Sequence, residues 1–447
     1  MTQPPPDENA GLPQALGDGL TLRWATPADT EAVAAHNARH LSDNPDEPEQ
    51  GLLTWTRDLM GGTHPTTRAG DFTVVVDERA GGKIVSSLCV IPQTWAYGGI
   101  AFQVGRPELV STDPAYRRRG LVRAQFAAIH ARGAARGELM QVIDGLAWYY
   151  RQFGYEMALA MGGSRRWLPF RIPALAPDAP PAYRLRPATP ADIALLSRLY
   201  AVHCAGDLVT RLRDDVEWRY ELGWKQFRIV EDAEGAPVGY VEARANDSGQ
   251  DPEVMHVLRV SELAVLPGRS LRAVAGFLGP ALQAELEALN ATRTQPLTGL
   301  ALNLGAQHPA YTALGDLLEQ YRAYYAWYIR VPDLPAFMRH IAPVLEGRLA
   351  ASVMAGHTGT LRLNFYQAQM TLGFAAGRLT EIGTFTPAHG EDGDARFPGL
   401  TFLQVLLGHR TPAEINHIYA DCYVTPAAAV LLGILFPPQP SNPVSLY

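Results

Sequence analysis

One stretch constrains this chain more than any other: Leu109–Ile129, reading LVSTDPAYRRRGLVRAQFAAI. It opens apolar and extended at Leu109-Val110 and is interrupted at Asp113-Pro114. Proline locks its own φ and disfavours helix in the residue before it. Arg117-Arg118-Arg119-Gly120 follows, and then Val122, Phe126 and Ile129 fall on one helical face. Strand, basic glycine-containing turn and helix start together make an anion site. Free N–H groups of the turn and of the first helical residues point at the anion, and the helix dipole adds partial positive charge. Arginines at the rim fork onto phosphate oxygens.

The pattern resembles motif A of the GCN5-related N-acetyltransferases (GNATs), where Arg/Gln-x-x-Gly-x-Gly/Ala follows a strand. Arg117 and Gly120 match, and Val122 stands where the last small residue would be. Trp148-Tyr149-Tyr150-Arg151-Gln152-Phe153-Gly154-Tyr155 then supplies a tyrosine followed by FGY at the distance these enzymes use. RRRGL with Y-x-x-FGY is similar to the Eis-like (enhanced intracellular survival) branch, in which a larger residue at the Val122 position is usual. The resemblance implies acetyl transfer from acetyl-CoA, as co-substrate and with no metal, to a primary amine. The acceptor would be a small molecule such as an aminoglycoside or polyamine, or a protein lysine. By position, backbone amides of Val110, Ser111 and Thr112 would bind the pantetheine arm and polarise the carbonyl. Arg117, Arg118, Arg119, Gly120, Leu121, Val122 and Arg123 would hold the pyrophosphate, and Gly145 and Leu146 would line the cofactor. Tyr150 takes the general-acid position, since a phenol titrating near ~10 suits a thiolate acceptor. Tyr149 and Tyr155 are left to packing.

The beginning of that region is repeated. Leu22-Arg23-Trp24-Ala25-Thr26-Pro27-Ala28-Asp29 is echoed by Leu185-Arg186-Pro187-Ala188-Thr189-Pro190-Ala191-Asp192, each time beginning a strand and capping a helix. Two copies of one domain are expected. In the second, Val260–Leu266 is the counterpart strand, but Pro267-Gly268-Arg269-Ser270-Leu271-Arg272 lacks the RxxG turn. The expected fold is α/β with mixed sheets: two GNAT-fold domains followed by a small sterol-carrier-like α+β domain. The expected divisions are a flexible arm (1–18), a catalytic domain (19–172), a Pro-rich linker (173–182), a degenerate copy (183–332) and the sterol-carrier-like module (333–447). The first domain reads as strands at Leu20–Trp24, Phe72–Val76, Ile84–Ile91, Gly99–Gln103 and Leu139–Ile143. In the module, strands at Gly359–Phe365, Met370–Phe374 and Arg378–Phe385 are separated by glycine-containing turns.

Composition narrows the function classes. At 447 residues the chain has room for two to four domains. Its net charge is -7, and Lys83 and Lys225 are its only lysines. Without a polybasic run beyond the three arginines, a nucleic-acid partner is disfavoured. Cys89, Cys204 and Cys422 lie far apart and fit a reduced, cytoplasmic setting. The N-terminus does not read as a signal peptide, and the apolar run Ala427–Phe436 is too short to span a bilayer. No membrane association is expected.

His36 and His40 share a helix face in HNARH but lack the HExxH glutamate, so they read as a packed or solvated pair. Gly-x-Ser-x-Gly, P-loop and Rossmann patterns are absent. The resemblance further implies a homo-oligomer, with a hexamer as its number, and a C-terminal segment returning to the first domain's active site. There the α-carboxylate of Tyr447 would take the amine's proton. A free α-carboxyl titrates near ~3.5, so burial or a relaying water must help it. Glu108, entering the motif A strand, is the reserve base. A reading from a different class makes the chain a hydrophobic-ligand-binding protein that uses its last module on an inert scaffold.

Overall fold

The computed structural model describes residues 9, 11–44, 46–173, 182–247, 256–305, 307–320, 324–388, 392–441 and 443. Its architecture is mixed α/β, and the chain divides into two compact units that interleave in sequence. One comprises residues 1–158 and 327–438, the other 159–326 and 439–447.

The first unit starts with β1 (Gln14–Gly17) and β2 (Leu20–Trp24), so the last residues of the segment expected to be a flexible arm form a strand paired to β2. Helices α1 (Thr30–His40) and α2 (Gln50–Met60) lead to β3 (Phe72–Asp77). Next come β4 (Lys83–Tyr97) and β5 (Ile100–Thr112), longer than the sequence suggested. A turn at Gly98-Gly99, with φ of +54° and +87°, joins them in register from Tyr97↔Ile100 outward. Expected strands Ile84–Ile91 and Gly99–Gln103 are therefore parts of one long hairpin. Pairing across the turn carries both strands past Pro92 and Pro107.

Helix α3 (Leu121–Ala135), β6 (Met140–Ile143) and β7 (Glu156–Gly162) complete this part. Leu121 and Ala128 of α3 pack with Leu20, Leu22, Val75 and Val85 of the sheet.

The second unit contains β8 (Arg165–Trp167), β9 (Tyr183–Pro187), α4 (Ile193–His203), β10 (Val209–Leu212) and α5 (Asp215–Leu222). It continues with β11 (Phe227–Asp232), β12 (Pro237–Asn246), β13 (Val257–Val265) and α6 (Leu271–Asn290). β14 (Leu300–Leu302), α7 (Pro309–Leu314) and β15 (Glu319–Gln320) close it. The sheet order is β15-β8-β14-β13-β12-β11-β9. Leu196, Leu199, Trp218 and Ile229 form one core, and Trp167, Val241, Leu278 and Leu300 another. Most of the Pro-rich linker, 174–181, lies outside the described residues.

β16 (Tyr324–Arg330) then enters the first unit's sheet, pairing Tyr328↔Ile143, so that the order there is β1-β2-β3-β4-β5-β6-β16-β7. The remaining segment of that unit has α8 (Leu334–His340), α9 (Ala342–Ala350), β17 (Gly359–Asn364), β18 (Gln369–Ala375) and β19 (Arg378–Gly383). It ends with β20 (Ala395–Arg396), α10 (Phe402–Leu406), α11 (Pro412–Ile418), β21 (Tyr423–Val424) and α12 (Pro426–Leu435). The β4–β5 hairpin tip packs on this segment. Tyr97 Oη donates to the Leu406 carbonyl at 2.8 Å, and the Phe102 and Phe337 rings meet edge-on at 5.5 Å.

Among the described residues no helix is long and apolar enough to cross a membrane.

Candidate active site

The site grows from a defect in the β4–β5 ladder. Cys89 pairs with Glu108 and Ser87 with Ser111, so Leu88 faces both Leu109 and Val110. This β-bulge puts Leu109 at φ +51°, a left-handed value that a leucine adopts only when surrounding pairing enforces it. On its other side β5 runs parallel to β6 only at Val104↔Met140 and Gly105↔Gln141. Beyond Gly105 the two strands part, and the edge of β5 from Arg106 onward is released from the β6 ladder.

Below that gap a buried polar network holds the strand. Ser111 Oγ donates to Asn37 Oδ1 (2.7 Å), and Ser86 Oγ donates to the Ser111 carbonyl (2.8 Å). Ser86 Oγ also lies 2.7 Å from Gln125 Oε1 of α3, so its single proton serves one of these two acceptors at a time.

The turn after β5 is built to leave donors exposed. Arg118 has φ +63° and Gly120 φ +75°, which turns successive N–H groups toward one side. Gly120 is the N-cap of α3 and has no side chain to accept from the helix, while a Cβ there would meet open space. The first helical hydrogen bond is Ala124 N–H to the Gly120 carbonyl at 3.0 Å. The N–H groups of Leu121, Val122 and Arg123 therefore lack intrahelical partners. Asp113 braces the turn through Lys83 Nζ at 2.6 Å and the Ala115 N–H at 3.0 Å.

These elements open on a cleft of about 670 Å³. Val110, Ser111 and Thr112 line it, as do Arg117, Arg118, Gly120, Leu121, Val122 and Arg123. Leu146 and Tyr150 line it too, with Tyr149, Gln152 and Phe153 beside them. Three candidate residues stand back from it, Glu108 being one, since it lies outside the lining. Arg119 lies over the Tyr116 ring at 5.0 Å, and Gly145 sits behind Tyr150. At φ +134°, a Cβ on Gly145 would reach the Tyr150 hydroxyl at 3.4 Å, so this glycine makes room for the phenol. Tyr447 lies outside the described residues.

The FGY segment seats Tyr150. Phe153 stacks on Phe126 of α3 with ring centroids 4.3 Å apart, and Tyr155 Oη sits 3.0 Å from His130 Nε2. Tyr149 and Tyr328 meet the Tyr150 ring edge-on at 5.2 and 5.5 Å. Burial first, and the Glu108 charge second, push the Tyr150 hydroxyl above its ordinary range and keep it protonated. Burial also pushes the Glu108 carboxyl up to about 7, against the pull of Arg106 and with a push from Asp144. A carboxyl poised there can take up or hold a proton at neutral pH.

Three neighbours stand outside the set of residues expected to act in catalysis or to bind the cofactor, and one of them, Arg106, escaped the sequence reading altogether. Arg106 is buried and pairs with Glu108 Oε1 at 2.6 Å. The signal was available: Arg and Glu at i, i+2 of an apolar strand share a face. Asp144 lies 3.9 Å from the same guanidinium. His40 lines the cleft, its ring 4.5 Å from that of His36, and burial holds His36 down at about 4.

Comparison with known proteins agrees with this geometry. Residues 21–158 match the family described as acetyltransferase (GNAT) domain, so the stretch holding the cleft carries a GNAT acetyltransferase domain. No curated protein matches the chain at a significant level. Among solved structures, a GCN5-related N-acetyltransferase from Anabaena variabilis has a TM-score of 0.67 at 13% identity, covering 96% of this chain and 100% of that one. One from Kribbella flavida has 0.66 at 17%, covering 97% and 100%. Eis1 from Mycobacterium abscessus has 0.59 at 17%, covering 95% and 99%. At these identities the likeness is one of fold.

Proposed function

We propose that the first unit transfers an acetyl group from acetyl-CoA to a primary amine, of a small molecule such as an aminoglycoside or polyamine or of a protein lysine. The observation that carries this reading is the cradle at the start of α3, where three helical N–H groups and the Arg117 and Arg118 side chains face a cleft continuous with the bulged β5. A diphosphate fits that donor set, and acetyl-CoA is the co-substrate of the GNAT fold.

A thioester is already activated, so alignment and proton handling are the main tasks. The free edge of β5 at Val110–Thr112 holds the pantetheine arm and turns amides toward the carbonyl oxygen. Glu108, behind the cleft lining, takes through a relaying water the proton that keeps the ammonium from attacking. The amine nitrogen then bonds to the carbonyl carbon, the carbon–sulfur bond breaks, and Tyr150 donates its hydroxyl proton to the sulfur. The proton shed by the new amide nitrogen restores the phenol. Once Glu108 is protonated its charge no longer raises the phenol, so the first proton transfer eases the second.

The α-carboxylate of Tyr447 is the competing base, and Glu108 is preferred because burial raises its carboxyl to about 7, whereas a free α-carboxyl titrates near ~3.5. The second unit is proposed as a degenerate GNAT copy, supported by the repeated cap and by the β9-β11-β12-β13-β14 order that mirrors β2-β3-β4-β5-β6. Residues 333–447 are proposed as a sterol-carrier-like module, supported by the β17–β19 meander and its apolar interior. The chain is further proposed to act in the cytoplasm as a homo-oligomer, a hexamer, and light scattering giving 48.7 kDa would overturn the assembly. Calorimetric titration tests the central reading. One equivalent of acetyl-CoA per chain is expected, and no binding would overturn it.

A further inference from the structure

We propose that Arg106 and Asp144 are opposed positioning residues that set the pH range in which Glu108 can accept a proton. This rests on the acetyl-transfer reading above. Arg106 lies in the middle of β5, opposite Ile91, and is only 1% exposed. A guanidinium in that position keeps its charge, so its partners must hold it. Glu108 Oε1 is at 2.6 Å, Asp144 Oδ1 at 3.9 Å, and the Trp327 ring covers the guanidinium carbon at 5.0 Å. One permanent cation thus stands between two carboxylates, close to one and farther from the other.

A purely structural ion pair would pull its carboxylate well below the usual range. Glu108 goes the other way, to about 7, because burial outweighs the Arg106 pull. The groups facing it are Arg106 on its own strand, Cys89 opposite on β4, Asp144 after β6 and Tyr150 from the turn before Gly154. Burial pushes both the Cys89 thiol and the Tyr150 phenol up, so both are neutral near pH 7. Of this set, Arg106 and Asp144 carry the charges that act on Glu108, and they act with opposite sign. Arg106 favours the carboxylate and Asp144 disfavours it.

The opposition gives a test that a merely structural role would fail. In the full-length protein, the acidic limb of kcat/KM against pH is followed with a primary amine acceptor. Arg106→Gln is expected to move the limb up by about one pH unit or more, and Asp144→Asn to move it down by roughly half a unit. Arg106→Lys keeps the charge and stays near wild type. Glu108→Gln removes the limb. An infrared titration of the protonated carboxyl band, identified by its loss in Glu108→Gln, follows the same shifts without turnover. Limbs moving in the same direction, or an unmoved limb in Asp144→Asn, would overturn the proposal, and the Asp144 variant decides even where Arg106→Gln fails to fold. Failure of the wild type to bind acetyl-CoA would instead count against the acetyl-transfer reading, and the infrared shifts would still decide the charge arrangement.

Discussion

In the first copy of the repeat, Arg23 forks onto Asp29 at 2.8 and 2.7 Å, and Asp29 accepts from the Thr26 N–H and hydroxyl. In the second, Arg186 forks onto Asp192 at the same two distances, and Asp192 accepts from Thr189 in the same way. The cap at each repeat is kept atom for atom. The turn before the long helix is not. Eight residues, 113–120, separate β5 from α3, whereas five, 266–270, separate β13 from α6. The first turn ends on Gly120 and leaves helical donors open. The second ends on Ser270, whose Oγ accepts from the Ala273 N–H at 3.2 Å. A donor bonded to its own cap no longer attracts an anion. The two repeats share the cap, and the turns that follow differ in what would bind a phosphate.

The largest effect should separate those turns. Gly120→Asp places a carboxylate at the cradle and should reduce acetyl-CoA affinity at least ~100-fold by calorimetry, since it adds like charge and satisfies the helix donors. Ser270→Asp substitutes one good cap for another and should leave affinity unchanged. Gly120 also needs φ +75°, so Gly120→Asn, which tolerates that region, separates backbone strain from charge and should retain most binding. Equal losses in the two copies would erase the distinction.

The next effect belongs to the second unit alone. Arg211, Arg213 and Lys225 interlock there with Glu217, Glu221 and Glu262, all buried. Glu262 also accepts from Tyr240 Oη at 2.9 Å. Glu262→Gln breaks a buried pair and should cost about 3–5 kcal/mol in thermal or denaturant unfolding. Acetyl-CoA affinity of the folded variant should not change. An affinity loss would mean that the second copy takes part in binding.

How far the sequence could be read follows the same line. Caps, the repeat and the RRRG turn are local chemistry, so Thr26, Thr189 and Gly120 announce themselves by type and spacing. Leu109 at the bulge, Arg106 beneath Glu108, and β16 within the first unit's sheet depend on partners far along the chain. Ladder register and burial create those features, and neither is written in a short window. The second unit's charge network was hidden for the same reason: its six members come from β10, the turn after it, α5, the turn before β11, and β13.

A smaller effect tests the shared caps. The Arg23 and Arg186 guanidiniums hold Asp29 and Asp192 down at about 2, below an unfolded value near ~3.9. Each therefore adds stability that is complete above the unfolded value and is lost as pH falls through about 2. Both sites are partly exposed, so Asp29→Asn and Asp192→Asn should each cost only ~1 kcal/mol at pH 7, with near-equal losses that shrink together in acid. Unequal losses would show that the two caps are alike in geometry but not in energy.

The smallest expected effect is that of moving the C-terminal carboxylate. Two carboxylates compete for the role of proton acceptor, Glu108 on the bulged strand and the α-carboxylate of Tyr447. They start from opposite sides of the useful range. Burial has raised Glu108 to about 7, whereas an exposed α-carboxyl titrates near ~3.5 and holds a proton at pH 7 less than a thousandth of the time. Appending two glycines after Tyr447 moves that carboxylate while keeping the aromatic ring. The preceding tail has its own anchors, since the Leu208 N–H donates to the Pro440 carbonyl at 2.7 Å and the Val209 N–H to Ser441 Oγ at 3.1 Å. The extension should therefore leave acetyl-CoA binding intact and change kcat by less than ~3-fold, while Glu108→Gln lowers it by roughly 10²–10⁴. A kcat collapse in the extended chain with binding preserved would move the base to Tyr447. The pH profile of the extended chain adds an independent check, because its acidic limb should stay where Glu108, Arg106 and Asp144 put it.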